Sequence, residues 1–472
     1  MNPRAFFFLV GLLSLGDLQA GEPRPNVILI LADDLGYGDL GCYGHPAFQT
    51  PRIDQLAKQG ARMTQFNCPA PFCAPTRAAL LTGRQPFRCG MTQNPAPDGG
   101  PEANQLALPD QEILLPQLLK KAGYATALIG KWHLGHQAGH LPTERGFDEY
   151  YGIPYSNDMR PVQVWEGTQV AEYPVVQATL TTRYAAKAAD FIRRHREQPF
   201  FLELAEAMPH KPLAAPDKHY RKSGAGLYGD VLADLDESVG TLLDTLQEMG
   251  LEERTLVLFT SDNGAWFGGS CGGLRGMKGT SYEGGYRVPM IARWPGRIPA
   301  GQVCAELGVT MDLFATVLEA TGSRMPDDRV IDGRSLLPVL ARGETSMHPH
   351  VFGHKGSKLA TIRDARWKLH VLPAAEMKLK AGPDGRWLDP RAPDGVTILA
   401  PFEQYNLDRP PGLTTGVAPA SMQLFDLQTD PGEQKDVASD HPDVVKRLRA
   451  AFDEMNREVP ALPEVKRTPY KR

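Results

Sequence analysis

Two short runs constrain the fold more than any other part of the chain. Val27-Ile28-Leu29-Ile30-Leu31-Ala32 is continuously apolar and ends in Asp33-Asp34. Leu256 to Phe259 is equally apolar and passes through Thr260-Ser261 into Asp262-Asn263-Gly264. A strand with one face in water alternates polar and apolar residues, so runs without alternation belong to strands covered on both faces, as in a parallel sheet between helix layers. Ala125 to Ile129 leads likewise into Gly130-Lys131-Trp132-His133, and Phe200 to Ala205 leads, five residues on, to His210-Lys211. Between them lie amphipathic helices, the clearest carrying Val231, Leu235, Val239, Leu242, Leu246 and Met249 and stopping at Gly250. The alternation predicts a right-handed, mostly parallel α/β sheet. Ligands bind such sheets beyond the carboxyl ends of the strands, so the four polar clusters should converge on one crest.

Each cluster alone has a plainer explanation, as a helix cap or a turn; four after four core strands point to a site. Asp33, Asp34, Asp262 and Asn263 offer oxygen only, which suits a hard cation, Ca²⁺ or Mg²⁺, better than zinc. Three carboxylates leave a divalent cation no surplus of charge. Lys131, Arg77, Lys278, His133 and His210 are the candidates to help hold an anionic substrate. In Pro71-Phe72-Cys73-Ala74-Pro75-Thr76-Arg77, Pro75 suits the first turn of a helix running through Leu81, which puts Cys73 just before the helix N-terminus. Unsatisfied N–H groups there attract anions and depress a thiol pKa. Arg77 can fold over the same face. A buried cysteine beside an ordinary cap is the alternative.

Lys and Arg number 51 against 55 Asp and Glu, a net charge of −4, which disfavours a nucleic-acid partner. Arg4, the apolar run Ala5 to Leu15 and Gln19-Ala20-Gly21 read as a signal peptide over residues 1–20, too short to span a bilayer. The chain is therefore expected to be exported, to a periplasmic, extracellular or lysosome-like compartment, with no integral membrane segment. Six cysteines, at 42, 68, 73, 89, 271 and 304, lack the C-x-x-C spacing of a zinc site; export permits disulfides that spacing alone does not pair.

After about residue 345 the pattern changes. Lys358 to Arg363 and Trp367 to Leu372 read as antiparallel strands, followed by a helix from about Pro442 to Glu458. Two domains are expected, 21–345 and 346–472. Residues 382–419, rich in Pro, Gly and Asp, read as substrate rim or mobile insertion, and the basic tail Lys466–Arg472 as a solvated end.

Cys73-Ala74-Pro75-Thr76-Arg77, continuing through Leu81-Thr82-Gly83-Arg84, resembles the C-x-P-x-R and L-T-G-R pattern of the formylglycine-dependent sulfatases. Further stretches resemble the same family in the same order. They are Asn26 to Gly38, Gly130 to Gly135, Gly152 to Ser156, Ser261 to Gly264, Gly276 to Gly285, and Leu424-Phe425-Asp426-Leu427 with Asp430 to Glu433, nearest to the arylsulfatase A and N-acetylgalactosamine-6-sulfatase branch. The resemblance implies an alkaline-phosphatase-like sheet sandwiched by helices, with a smaller C-terminal antiparallel sheet plus helix. It implies that a maturation enzyme oxidises Cys73 to formylglycine (3-oxoalanine). The hydrated aldehyde would attack sulfur and displace the alcohol; its second hydroxyl, once deprotonated, would expel sulfate and restore the aldehyde. Asp33, Asp34, Asp262 and Asn263 match the calcium ligands, Arg77 the residue that steadies the hydrate, and Lys131 and Ser156 sulfate contacts. His133 matches the base, and His210, assisted by Lys278, the acid for the leaving alcohol. The implied substrate is an aryl sulfate or a sulfated saccharide.

Two rival readings remain open at this point. A phosphomonoester or phosphonate hydrolase shares the sheet, but the two-zinc phosphatases generally carry His where Asn263 stands. A non-catalytic glycan-binding relative would have lost reactive positions, and none is missing here.

Overall fold

The structure, a computed structural model, describes residues 24–375, 391, 393–405, 407–462 and 464–468. The segment read as a signal peptide lies outside the described residues, as does part of the stretch 382–419. Ten strands make one sheet: β1 (Asn26–Ala32), β2 (Ala61–Asn67), β3 (Ala125–Gly130), β4 (Glu149–Gly152), β5 (Val164–Glu166), β6 (Gln169–Glu172), β7 (Phe200–Ala205), β8 (Thr255–Ser261), β9 (Met290–Arg293) and β10 (Gln302–Val309). Their spatial order is β10-β2-β9-β8-β1-β7-β3-β4-β5-β6. The centre, from β8 to β4, is parallel throughout, and only β9 and β5 run against the other eight strands. The expected mostly parallel α/β sheet is therefore present.

The unbroken apolarity of β1 has the anticipated cause. Ile28, Ile30 and Ala32 enter one core with Tyr184 and Phe191 of the helix Leu180–Arg194 and Val231, Leu235 and Val239 of the helix Gly226–Glu248. Val27, Leu29 and Leu31 enter the other, with Leu80 and Leu81 of the helix Cys73–Thr82 and Phe314 and Val317 of the helix Asp312–Thr321. Alternate side chains of one strand thus anchor opposite helix layers, and every residue of β1 is buried.

Four further strands, β11 (Val351–Lys355), β12 (Lys358–Arg363), β13 (Trp367–His370) and β14 (Gln423–Asp426), form a separate antiparallel sheet. The helix Pro442–Asn456 covers it through Leu448 and Phe452. This sheet meets the main body through a buried ion network. Glu283 Oε2 accepts from Arg363 (2.6 Å) and Arg287 (2.7 Å), and Lys368 Nζ lies 3.1 Å from both Glu283 Oε1 and Glu433 Oε1.

Of the basic tail, residues 466–468 are described, and these are exposed but tied down. Lys466 N donates to Glu102, Thr468 N to the Gly99 carbonyl, and the Arg467 guanidinium to the Asn94 carbonyl. All six cysteines are free. Among the described residues no helix is long and apolar enough to cross a membrane.

Candidate functional site

Register brings the carboxylates together. In the β1–β8 ladder Ala32 stands opposite Ser261, so the residues that follow, Asp33-Asp34 and Asp262-Asn263, emerge side by side. On the other flank β7 pairs with β3, Gly130 opposite Ala205, which sets Lys131 and His133 beside the segment leading to His210. Only glycine fits at 130, since a Cβ there would lie 1.8 Å from the Ala205 carbonyl oxygen. Asp34 and His133 both adopt left-handed backbone, at φ 65° and 64°, a strained conformation for non-glycine residues that packing must hold in place.

Cys73 opens the helix Cys73–Thr82, which thus starts one residue earlier than expected, and Asn94 Oδ1 accepts the Ala74 N–H of its first turn at 3.0 Å. Cys73 Sγ lies 3.6 Å from Asp33 Oδ1 and 3.4 Å from Lys278 Nζ. Lys131 Nζ reaches Asp33 Oδ2 at 2.6 Å and Ser156 Oγ at 3.2 Å. Arg77 donates to Asp262 Oδ2 through Nε (2.9 Å) and pairs through Nη2 (2.8 Å), and its Nη1 donates to the Lys131 carbonyl. Lys278 Nζ pairs with Asp34 Oδ1 at 2.6 Å. All eleven residues singled out from the sequence therefore meet on one crest.

The expected depression of the Cys73 thiol does not occur. Complete burial drives its pKa up, and Lys131 and Lys278, although close, only partly oppose this. Burial likewise raises Asp33, to about 7, against the pull of Lys131, and raises Asp34 against Lys278. Asp262 stays below the usual carboxylate range because Arg77, with Lys131 and Lys278 behind it, outweighs burial. Burial and the nearby lysines push both His133 and His210 well below the ordinary imidazole value, so both rest neutral.

Their tautomers follow from their partners. His133 Nε2 faces the Pro95 carbonyl at 3.1 Å, an oxygen that can only accept, so Nε2 carries the proton. Buried Nδ1 has no hydrogen-bond partner among the described residues and keeps its lone pair. In His210, Nδ1 donates to the Lys211 carbonyl at 2.6 Å, with Asn157 Oδ1 3.0 Å away, while Nε2 faces Asp34 Oδ2 at 3.7 Å.

Donor atoms of Asp33, Asp34, Cys73 and His210 lie within 4.8 Å of one another. Asp262 joins the cluster through its Oδ1, which accepts the Asp34 N–H at 3.2 Å. Asn263 donates through Nδ2 to Asp34 Oδ1 at 2.7 Å, while its buried Oδ1 has no hydrogen-bond partner among the described residues. Three crowded carboxylates, two of them with raised pKa values, and an orphaned amide oxygen fit a hard cation. The three carboxylates are already matched by Arg77, Lys131 and Lys278, so a divalent cation tips the site positive, the sign an anionic substrate needs.

A cleft of about 520 Å³ opens over this crest, lined by His133, Ser156, His210 and Lys278. Asp158, Lys211, Trp266 and Arg391 also line it; of these the sequence had flagged only Lys211, and that merely as the neighbour of His210. Asp158 follows Ser156 by two residues at the carboxyl end of β4, a place that could have marked it.

The Sulfatase family model matches residues 25–323, and a second, N-sulphoglucosamine sulphohydrolase, C-terminal, matches 277–373. N-acetylgalactosamine-6-sulfatase of Rattus norvegicus is 43% identical over 397 residues, 78% of this chain and 76% of the relative. Human arylsulfatase A is 36% identical, with 88% of each chain covered. The crystal structure of Ps i-CgsB in complex with k-i-k-neocarrahexaose superposes with a TM-score of 0.76 at 27% identity, covering 94% of this chain and 95% of that one.

Proposed function

The chain belongs to the sulfatase family, enzymes that hydrolyse sulfate esters, and from that premise we propose that it desulfates a saccharide using a formylglycine made from Cys73 and one Ca²⁺. What carries the reading is the seat of Cys73 Sγ, at a helix N-terminus between Asp33 Oδ1 and Lys278 Nζ, under a cleft wide enough for a sugar. A formylglycine at position 73, once hydrated, would supply one oxygen to attack sulfur and a second hydroxyl whose deprotonation would let sulfate leave. Asp33, Asp34, Asp262 and Asn263 would hold Ca²⁺, which would supply Lewis-acid polarisation of the sulfuryl oxygens.

The remaining work falls to side chains. Lys131 and Ser156, 3.2 Å apart, bind the sulfate oxygens, and Arg77 steadies the hydrate. His133, neutral with an unprotonated Nδ1, is fitted to take a proton in the elimination step. His210 rests neutral because Lys278, Lys131 and Lys211 surround it. An anionic ester between those lysines offsets their charge and lets Nε2 carry the proton that the leaving alcohol requires, with the Lys278 ammonium beside it.

The saccharide preference draws on the carbohydrate named in the rat relative and on the oligosaccharide bound to Ps i-CgsB. The apolar run after Arg4 supports an exported enzyme whose maturation partner is a formylglycine-generating enzyme. Purified, matured protein is to be assayed on defined sulfated saccharides and on matched sulfate and phosphate esters of one aryl alcohol, with peptide mass analysis at position 73. An aldehyde at 73, preference for sulfate, and loss of roughly four orders of magnitude in Cys73→Ser are expected. A thiol at 73 with full activity refutes the mechanism; better turnover of phosphate refutes the substrate class.

A further inference from the structure

Asp158 presents an unused acceptor to the cleft. Its side chain is almost wholly buried, yet it lines the same wall as Ser156, His210 and Lys211. Oδ2 faces Arg391 Nη2 at 3.1 Å and Lys211 Nζ at 3.5 Å. Oδ1 is buried and has no hydrogen-bond partner among the described residues. Native structures seldom leave such an atom unmatched, because the lost hydration is not recovered. The missing partner is not a third cation, since Arg391 and Lys211 already balance the charge and hold the carboxyl ionised despite its burial. It is a hydrogen-bond donor, and the space that Asp158 borders is the cleft.

Resting on the sulfatase reading above, we propose that Asp158 Oδ1 accepts a hydrogen bond from a ring hydroxyl of the sulfated sugar and thereby selects the substrate. Ser156, two residues earlier on the same loop, contacts Lys131 at the sulfate end of the cleft. The hydroxyl read by Asp158 therefore lies close along the ring from the ester. A sugar carrying a second sulfate on that hydroxyl brings an anion to a carboxylate and is rejected.

The test uses methyl galactoside 6-sulfate, its monodeoxy derivatives and 4-nitrophenyl sulfate, which has no sugar hydroxyls. Against the wild-type enzyme, removing one particular hydroxyl is expected to lower kcat/KM roughly 10- to 100-fold, the scale of a hydrogen bond to a charged group. In Asp158→Asn the ratio of sugar to aryl turnover should fall by a similar factor, and the same deoxy substrate should then lose little more. The deoxy series needs no variant, so a poorly folded Asp158→Asn does not blunt the test. If no single hydroxyl matters, or if the deoxy and Asp158→Asn losses simply multiply, the proposal is overturned while the sulfatase reading stands. If the wild type cleaves only the aryl ester, the saccharide reading falls and this proposal with it.

Discussion

Lys278 Nζ lies 3.4 Å from Cys73 Sγ and 2.6 Å from Asp34 Oδ1, so one ammonium spans the proposed nucleophile and the carboxylate cluster. Three carboxylates and a raised pKa keep it charged even though it is buried. A group so placed can act on the leaving alcohol as well as on the sulfate.

Lys278→Met keeps most of the bulk and removes the charge. We expect kcat on a saccharide sulfate to fall by about 10²- to 10³-fold, the usual loss for one preorganised charge-stabilising group. The loss should be smaller on an aryl sulfate, whose leaving oxygen needs less protonation. Steady-state kinetics on both esters decide it: equal losses confine Lys278 to sulfate binding.

Much of this site was legible because β1 and β8 are unbroken apolar runs that stop at Asp33 and Asp262. Their position at the strand ends follows from one-dimensional information. Lys278 is different: it sits in a glycine-rich loop without periodicity, so the residues alone offered it only as one of several candidate cations, and its role beside His210 came from the resemblance. Asp158 and Arg391 escaped notice because an unpaired oxygen and its two cations exist only after residues 158, 211 and 391 are brought together. The thiol pKa was misjudged for a related reason. A helix N-terminus can be read from Pro75, but the complete burial that overrides it comes from tertiary packing. The four-residue β9, antiparallel to both neighbours, is too short to display a period of its own.

Asn263 Oδ1, buried and unmatched, gives the proposed cation site a readout independent of activity. Ca²⁺ at a hundred times its Kd should stabilise the folded protein by about 2.7 kcal/mol, raising Tm relative to a chelator-treated sample. In Asn263→Ala the calcium concentration needed for the same rise should increase markedly. Calorimetry across a calcium titration measures this, and identical titrations for the two proteins would remove Asn263 from the ligand set.

Glu206, just past β7, is expected to make the fold favour mildly acid pH. Its Oε1 accepts from Ser238 Oγ at 2.7 Å, its Oε2 has no hydrogen-bond partner among the described residues, and burial, reinforced by Asp234, raises its pKa to about 8. Because the folded value lies above the ordinary 4.5, the folded state holds the proton more tightly than the unfolded chain. Its contribution is thus full below about pH 4.5 and is lost as pH rises through about 8, on the order of a few kcal/mol. Glu206→Gln should match wild type near pH 5 and exceed it in denaturant midpoint near pH 8.5. A constant difference across that range would show that Glu206 does not titrate there.

Glu283 ties the β11–β14 sheet to the body that carries the site, and the cost of breaking that tie can be argued from its partners. Burial opposes its charge, but Arg363, Lys368 and Arg287 hold its pKa well below the ordinary value, and Glu433 shares Lys368 with it. Glu283→Gln leaves Arg363 and Lys368, both almost fully buried, short of a counter-charge. Removing one member of a buried pair typically costs roughly 3–5 kcal/mol. Removing a cation as well should return part of that loss, since the penalty lies in the uncompensated charge more than in the missing contact. We therefore expect Glu283→Gln to lower the unfolding midpoint sharply, and the pair Glu283→Gln with Lys368→Met to be less destabilised than the sum of the single changes. Hydrogen exchange over residues 351–370 should accelerate in the single variant before it does in β1. Strictly additive losses with unaltered exchange in the second sheet would mean that the network does not hold the two sheets together.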